Sequence, residues 1–258
     1  MHHFFVEKEN FADGRVCIFG EDYNHAVNVL RLNTGERVLI SDHEGRDFIC
    51  LVEEKEETDR ESRLWLKIEK EAEENHELPA KVVLFQCLPK SDKLEFIIQK
   101  AVELGVSGIV PVASKNCVVK LDDKKAGSKL KRWRTIAESA AKQSMRSLVP
   151  AIHEPVSFKE AVELMEDYDV RLIPYENEKG IDSICEAIVN FVPGRSIAVI
   201  IGPEGGFDRL EVSMAERHGI MPVSLGKRIL RTETAAISIL SLIMIRLEIA
   251  AGMDLEAE

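Results

Sequence analysis

Up to about residue 73, apolar positions come in short, partly alternating blocks: His3–Val6, Arg15–Phe19, Glu36–Ser41, Asp47–Glu53 and Leu64–Ile68. A period of two is what a strand with one buried face requires. Asp13-Gly14, Thr34-Gly35 and Glu44-Gly45 punctuate the blocks as turns, and one helix-like piece, Asp22–Leu32, interrupts them. Strands at this spacing predict a small β-barrel. The acidic stretch 69–77, followed by Pro79, reads as a linker.

After Pro79 the rhythm becomes strand, helix, strand. Val82–Leu88 is a continuous apolar run, as expected of a strand buried on both faces. Asp92 and Glu95 have capping-box spacing ahead of a periodic helix, Leu94–Leu104, and the same spacing recurs at Ser157/Glu160, Ser183/Glu186 and Asp208/Glu211. Between these helix starts lie the apolar runs Ile109–Val112, Val170–Ile173, Ile197–Ile201 and Pro222–Leu225. Repeated βα units predict a mainly parallel sheet covered on both faces. The expected organisation is a β-barrel over 1–73 and an α/β domain over 78–252.

Charge adds a contrast that the total conceals. The net charge is −11, yet residues 115–146 hold ten Lys/Arg against three Asp/Glu, while 53–77 hold eleven Asp/Glu against five Lys/Arg. A protein's field is set by patches, so an acidic total leaves a nucleic-acid partner open. The 53–77 run itself reads as a solvated strand edge. Cys17, Cys50, Cys87, Cys117 and Cys185 are odd in number, far apart and without metal-ligand spacing. They read as reduced thiols in a cytosolic protein, with no disulfide framework and no metal site. The first residues lack the basic-then-apolar pattern of a signal peptide. The run Ala235–Ala251, broken by Arg246 and Glu248, is short for a bilayer span. No membrane association is expected.

Ligands of open α/β sheets sit beyond the carboxyl ends of the strands. Three such ends stand out: Ile173-Pro174-Tyr175-Glu176, Ile201-Gly202-Pro203-Glu204-Gly205-Gly206-Phe207, and Leu225-Gly226-Lys227-Arg228-Ile229-Leu230-Arg231-Thr232-Glu233-Thr234-Ala235. The glycines permit close approach to a ligand. Phosphate binding is disfavoured: no Walker Lys-Ser/Thr follows, Gly-x-Gly-x-x-Gly is absent, and Glu204 sets a carboxylate in the loop. A neutral or cationic ligand fits better. Several ionisable groups crowd the third segment, where a structural junction would need a single cap.

Gly202–Phe207 together with Leu225–Ala235 resembles the paired signature of the RsmE family, 16S ribosomal RNA uridine N3-methyltransferases of the knotted SPOUT superfamily. Leu30-Arg31, Gly35, Lys90, Lys100–Gly105, Glu138, Gln143-Ser144, Arg146 and Pro150 extend the likeness over nearly the whole chain. The resemblance implies a PUA-like barrel, a SPOUT domain whose last helix threads a trefoil knot, a homodimer, and S-adenosylmethionine as donor without a metal. It implies a cofactor site of Ile173, Pro174, Gly202, Pro203, Glu204, Gly205, Leu225, Gly226, Arg228, Ile229, Leu230, Thr234 and Ala235. Glu233 is the candidate base for uracil N3, with Arg231 stabilising the uracil anion.

Ribosomal RNA of the small subunit is the expected partner. His3, Arg31, Lys90, Arg134, Lys142 and Arg146 are its candidate contacts, helped by Lys115, Lys120, Lys124 and Lys125 around the basic helix. At His3 the family pattern leads one to expect Arg, which puts a phosphate contact there in doubt. Two rival readings stay open: ribose 2′-O-methylation within the same superfamily, and a ribosome-assembly module that binds RNA without catalysis.

Overall fold

Two separate sheets carry the chain in a computed structural model. It describes all residues except 59–61, 74, 120–122, 179 and 256–258, and excludes the side chains of 123–126 and 253–255. Lys120 and the side chains of Lys124 and Lys125 thus lie outside the described residues. The contacts divide the chain into one unit of Met1–Glu77 with Ala141–Val149, and another of Leu78–Ala140 with Pro150–Glu258.

The first unit is a six-stranded mixed sheet. Its strands are β1 (His2–Phe5), β2 (Phe11–Ala12), β3 (Arg15–Phe19), β4 (Arg37–Ser41), β5 (Asp47–Glu57) and β6 (Ser62–Glu71), in the order β1-β4-β5-β6-β3-β2. β1 runs parallel to β4 and the other pairs are antiparallel. Phe4, Val16, Ile18, Val38, Ile40, Val52, Leu64 and Leu66 form the core that the alternating pattern predicts. The helix-like piece is α1 (Gly20–Asn24) followed by a π-helical turn, His25–Val29. The acidic stretch begins inside β6, so strand pairing reaches further than the composition suggested.

Segment 141–149 is tied to this unit by polar contacts that no linear pattern announces. Ser147 donates to Asp47 at 2.6 Å, and Lys142 donates to Asp22 at 2.9 Å. Arg146, only 3% exposed, pairs with Glu77. The Ser41 hydroxyl donates to Asp47 and lies 2.7 Å from Nε2 of the buried His3.

The second unit is built on a parallel sheet. Its strands are β7 (Val82–Cys87), β8 (Gly108–Ala113), β9 (Ala151–Ile152), β10 (Val156–Ser157), β11 (Val170–Pro174), β12 (Ile197–Ile201) and β13 (Met221–Val223). The order is β10-β8-β7-β12-β11-β13, with β9 also on β8. Every residue of β7 and β12 is buried, which is why both read as apolar runs, β7 interrupted only by Gln86. The helices are α2 (Lys93–Glu103), α3 (Asp123–Gln143), α4 (Phe158–Met165), α5 (Asp182–Ile188), α6 (Arg209–Arg217) and α7 (Thr232–Leu255).

Two of the four expected capping boxes form. Ser157 and Asp208 have the extended backbone an N-cap needs (ψ 160° and 148°), and each exchanges both bonds with its glutamate. Asp92 sits at φ −90°, ψ 12°, where its carboxylate makes no cap bond. α5 begins one residue before Ser183, whose hydroxyl instead accepts the Ser224 amide at 3.3 Å.

α7 outruns the apolar stretch that announced it. Thr232–Gly252 is long and apolar enough, by length and composition alone, to cross a bilayer, a test that the core helix of a soluble protein also passes. Ala236, Ile239, Leu240, Ile243 and Leu247 are buried, and the helix contacts α2 and β12.

Candidate active site

The carboxyl ends of β11, β12 and β13 meet the amino ends of α2 and α7 around a cleft of about 530 Å³. That volume is within the range typical of small-molecule sites. All three sequence-predicted loops line it. Pro174, Gly202, Pro203, Glu204, Gly205, Leu225, Gly226, Arg228, Ile229, Leu230, Arg231 and Ala235 are on its wall. Three predicted residues are not among the lining residues. Ile173 is fully buried within β11, Thr234 is exposed, and Glu233 stands beside the cleft.

Local chemistry explains the loop shapes. At Gly206 φ is +66°, and a Cβ would come within 2.5 Å of a Glu176 carboxylate oxygen. At Gly202 a Cβ would meet the Phe207 ring at 3.1 Å. The positive φ favours glycine at Gly206, and at Gly202 a side chain would have to displace the Phe207 ring by a few tenths of an ångström. The Asn116 amide donates to the carbonyls of Gly205 (3.3 Å) and Gly206 (3.1 Å), and steadies the turn from outside.

Lys93, which sequence reasoning missed, links the two loops. Its ammonium lies 3.0 Å from Glu204 and 3.3 Å from Glu233. Glu204 also accepts the Lys90 amide at 3.1 Å. Burial alone would raise the Glu204 carboxyl, but its own backbone amide, Lys93 and the Lys90 amide outweigh that and hold its pKa below the usual value. The same contacts, led by Glu204, hold the Lys93 ammonium above its usual value. Glu204 is therefore not the free carboxylate the sequence suggested, and its presence argues less strongly against an anion. Glu176, which also lines the cleft, was legible only as the last residue of its strand-end motif. The rim residues Lys227, Arg228, Ile229 and Arg231 are exposed.

The expected RNA contacts divide by burial. Arg31, Lys90 and Arg134 are exposed. His3 and Arg146 are buried, and Lys142 is paired to Asp22. Among the described residues no cluster of three or more His, Cys, Asp or Glu side chains is placed to hold a metal ion.

Residues 76–244 match a family described as an RNA methyltransferase domain, and residues 19–58 an RNA methyltransferase PUA domain. Ribosomal RNA small subunit methyltransferase E of Bacillus subtilis is 39% identical over 258 residues, covering 98% of this chain and 99% of its own. The protein of that name from Mesomycoplasma hyopneumoniae is 44% identical over 65% of this chain and 70% of its own. A crystal structure of Ribosomal RNA small subunit methyltransferase E from Neisseria gonorrhoeae, bound to S-adenosyl methionine, superimposes with a TM-score of 0.81 at 30% identity, covering 95% and 97% of the two chains. The match over residues 76–244, joined to a PUA domain, places the chain among RNA methyltransferases. Within that class, the chain belongs to the ribosomal RNA small subunit methyltransferase E family.

Proposed function

We propose that this protein methylates N3 of a uridine in 16S ribosomal RNA of the small subunit, using S-adenosylmethionine. The observation that carries this reading is the cleft itself, where backbone groups of three strand-end loops converge beside the carboxylates of Glu176 and Glu204. Pro174, Gly202–Gly205, Leu225–Leu230 and Ala235 would hold the donor, with Ile173 supporting the wall from behind and Thr234 at the outer end. Bound there, S-adenosylmethionine supplies a methyl group already activated on a sulfonium, so no metal is called for. The Glu176 carboxylate is tolerable near a sulfonium where it would repel a triphosphate, while the charge of Glu204 is offset by Lys93.

N3 of uracil carries a proton at neutral pH and lies on the pairing edge, so the base must be unpaired or extruded to react. Glu233 takes that proton and Arg231, on the cleft rim, stabilises the uracil anion. Arg31, Lys90 and Arg134 contact the RNA, while His3, Lys142 and Arg146 shape the unit that presents it. In this reading residues 1–73 form a PUA-like barrel that docks RNA and 78–252 a SPOUT domain in which α7 threads a trefoil knot. The protein works as a homodimer in the cytoplasm, with the exposed Ile245 and Ile249 of α7 offering an apolar seam.

Incubation with labelled donor and unmethylated small subunits tests the proposal. A reverse-transcription stop at one uridine is expected, because an N3 methyl destroys the pairing edge. Label without a stop would point to the ribose 2′-hydroxyl instead. RNA binding without donor binding would leave only an assembly module.

A further inference from the structure

Gln86, at the end of β7, is fully buried and 146 positions before Thr232, yet the two side chains meet. The Gln86 amide nitrogen donates to the Cys87 carbonyl at 2.9 Å and to the Thr232 hydroxyl at 3.0 Å. Thr232 in turn donates to the Gly202 carbonyl at 2.7 Å. The polarity of this chain is forced. A carbonyl only accepts, so the threonine's one proton points at Gly202 and its oxygen must receive from Gln86. With acceptors at both contacts, the glutamine must present nitrogen. Its oxygen is left buried without a hydrogen-bond partner among the described residues.

We infer that Gln86 is a positioning residue of the donor cleft, acting through Thr232 to fix the Gly202 carbonyl and so the spacing between the glycine loop and the start of α7. Gly202 opens one wall of the cleft, and Thr232 follows the rim residue Arg231 and precedes Glu233. The relay stands where β7, β12 and α7 converge, and an apolar residue at position 86 would fill the space without specifying that spacing. A buried polar group left half-satisfied calls for a reason of this kind. The inference rests on the donor-binding reading above. It adds residues that the loop motifs do not contain.

Five variants of the full chain test it. Gln86→Glu is nearly isosteric but replaces the donating nitrogen with an acceptor, which draws the Thr232 proton away from Gly202. Thr232→Val keeps the shape and removes the hydroxyl. Each should weaken S-adenosylmethionine binding, read by calorimetry, by about tenfold, the effect of one lost hydrogen bond. KM for the donor should rise more than kcat falls. Thr232→Ser, which keeps the hydroxyl, should recover most of the lost affinity. Combining Gln86→Leu with Thr232→Val should cost no more than Thr232→Val alone, with Gln86→Leu alone completing the cycle, because the two act in one chain.

Exchange of the Glu204, Gly205 and Gly206 amides in the ligand-free protein should quicken in Gln86→Glu and Thr232→Val, and this reads the relay without any donor. Unchanged donor affinity and exchange in both variants would overturn the inference, as would strictly additive losses in the double variant. An unmodified protein that fails to bind donor while the variants still loosen the loop would remove the functional reading and leave the relay standing.

Discussion

Glu233 occupies the second position of α7, with Lys93 3.3 Å from its carboxylate, and stands just outside the cleft that Arg231 lines. If it takes the uracil proton, Glu233→Gln should lower kcat by about 10²–10⁴ and leave donor affinity almost unchanged. Lys93→Met separates that role from a purely structural one. It breaks the link between Glu204 and Glu233, so it should weaken donor binding, whereas Glu233→Gln should not. Matching losses in both variants would make Glu233 a strut of the cleft. A second residue-scale expectation concerns Cys117. Contacts with the Cys87 thiol and then with Ser114 lower its pKa to about 6, against strong burial that pushes Cys87 well above the ordinary thiol range. The thiolate is the reactive form. In a Cys185→Ser background, iodoacetamide should therefore label Cys117 at a rate that climbs through pH 6 and is already level near pH 8. A rate still climbing at pH 9 would contradict the assignment.

At the scale of elements, periodicity and spacing foretold much and missed in instructive ways. The runs of β7 and β12 were legible because burial on both faces favours apolar residues, with Gln86 the one polar residue that β7 admits. The loops that line the cleft were legible because glycines mark strand ends. The capping boxes were half right, since residue identity at N-cap and N3 does not set the N-cap backbone angles. Ser157 and Asp208 are extended, whereas Asp92 is not. Ser157→Ala should consequently destabilise the fold by about 0.5–2 kcal/mol in urea titrations. Asp92→Ala should cost distinctly less. Lys93 and Gln86 left no signal at all, because a long-range pairing such as Gln86 with Thr232 has no period along the chain.

Across the whole molecule, charge distribution carries the recognition argument, and it had to be re-sorted once partners were visible. The basic excess over 115–146 is a property of sequence, but each cation's availability depends on carboxylates far away in the chain. Arg146 is 3% exposed against Glu77, while Arg134 is exposed and donates to the Ile152 carbonyl at 3.4 Å. The two arginines should thus fail differently. RNA affinity set by phosphate contacts falls with salt in proportion to the number of cations engaged. Arg134→Ala should flatten the plot of log affinity against log salt by about 0.7 for a single-stranded contact and leave the melting temperature near the parent value. Arg146→Ala should leave the slope alone and lower stability by about 3–5 kcal/mol, the cost of stranding a buried partner charge. Glu77 keeps 16% of its side chain in water, which places the expected loss at the lower end of that range. An Arg146→Ala protein that melts normally but loses salt dependence would return this side chain to the RNA surface. It would also mean that segment 141–149 opens from its anchors when RNA binds.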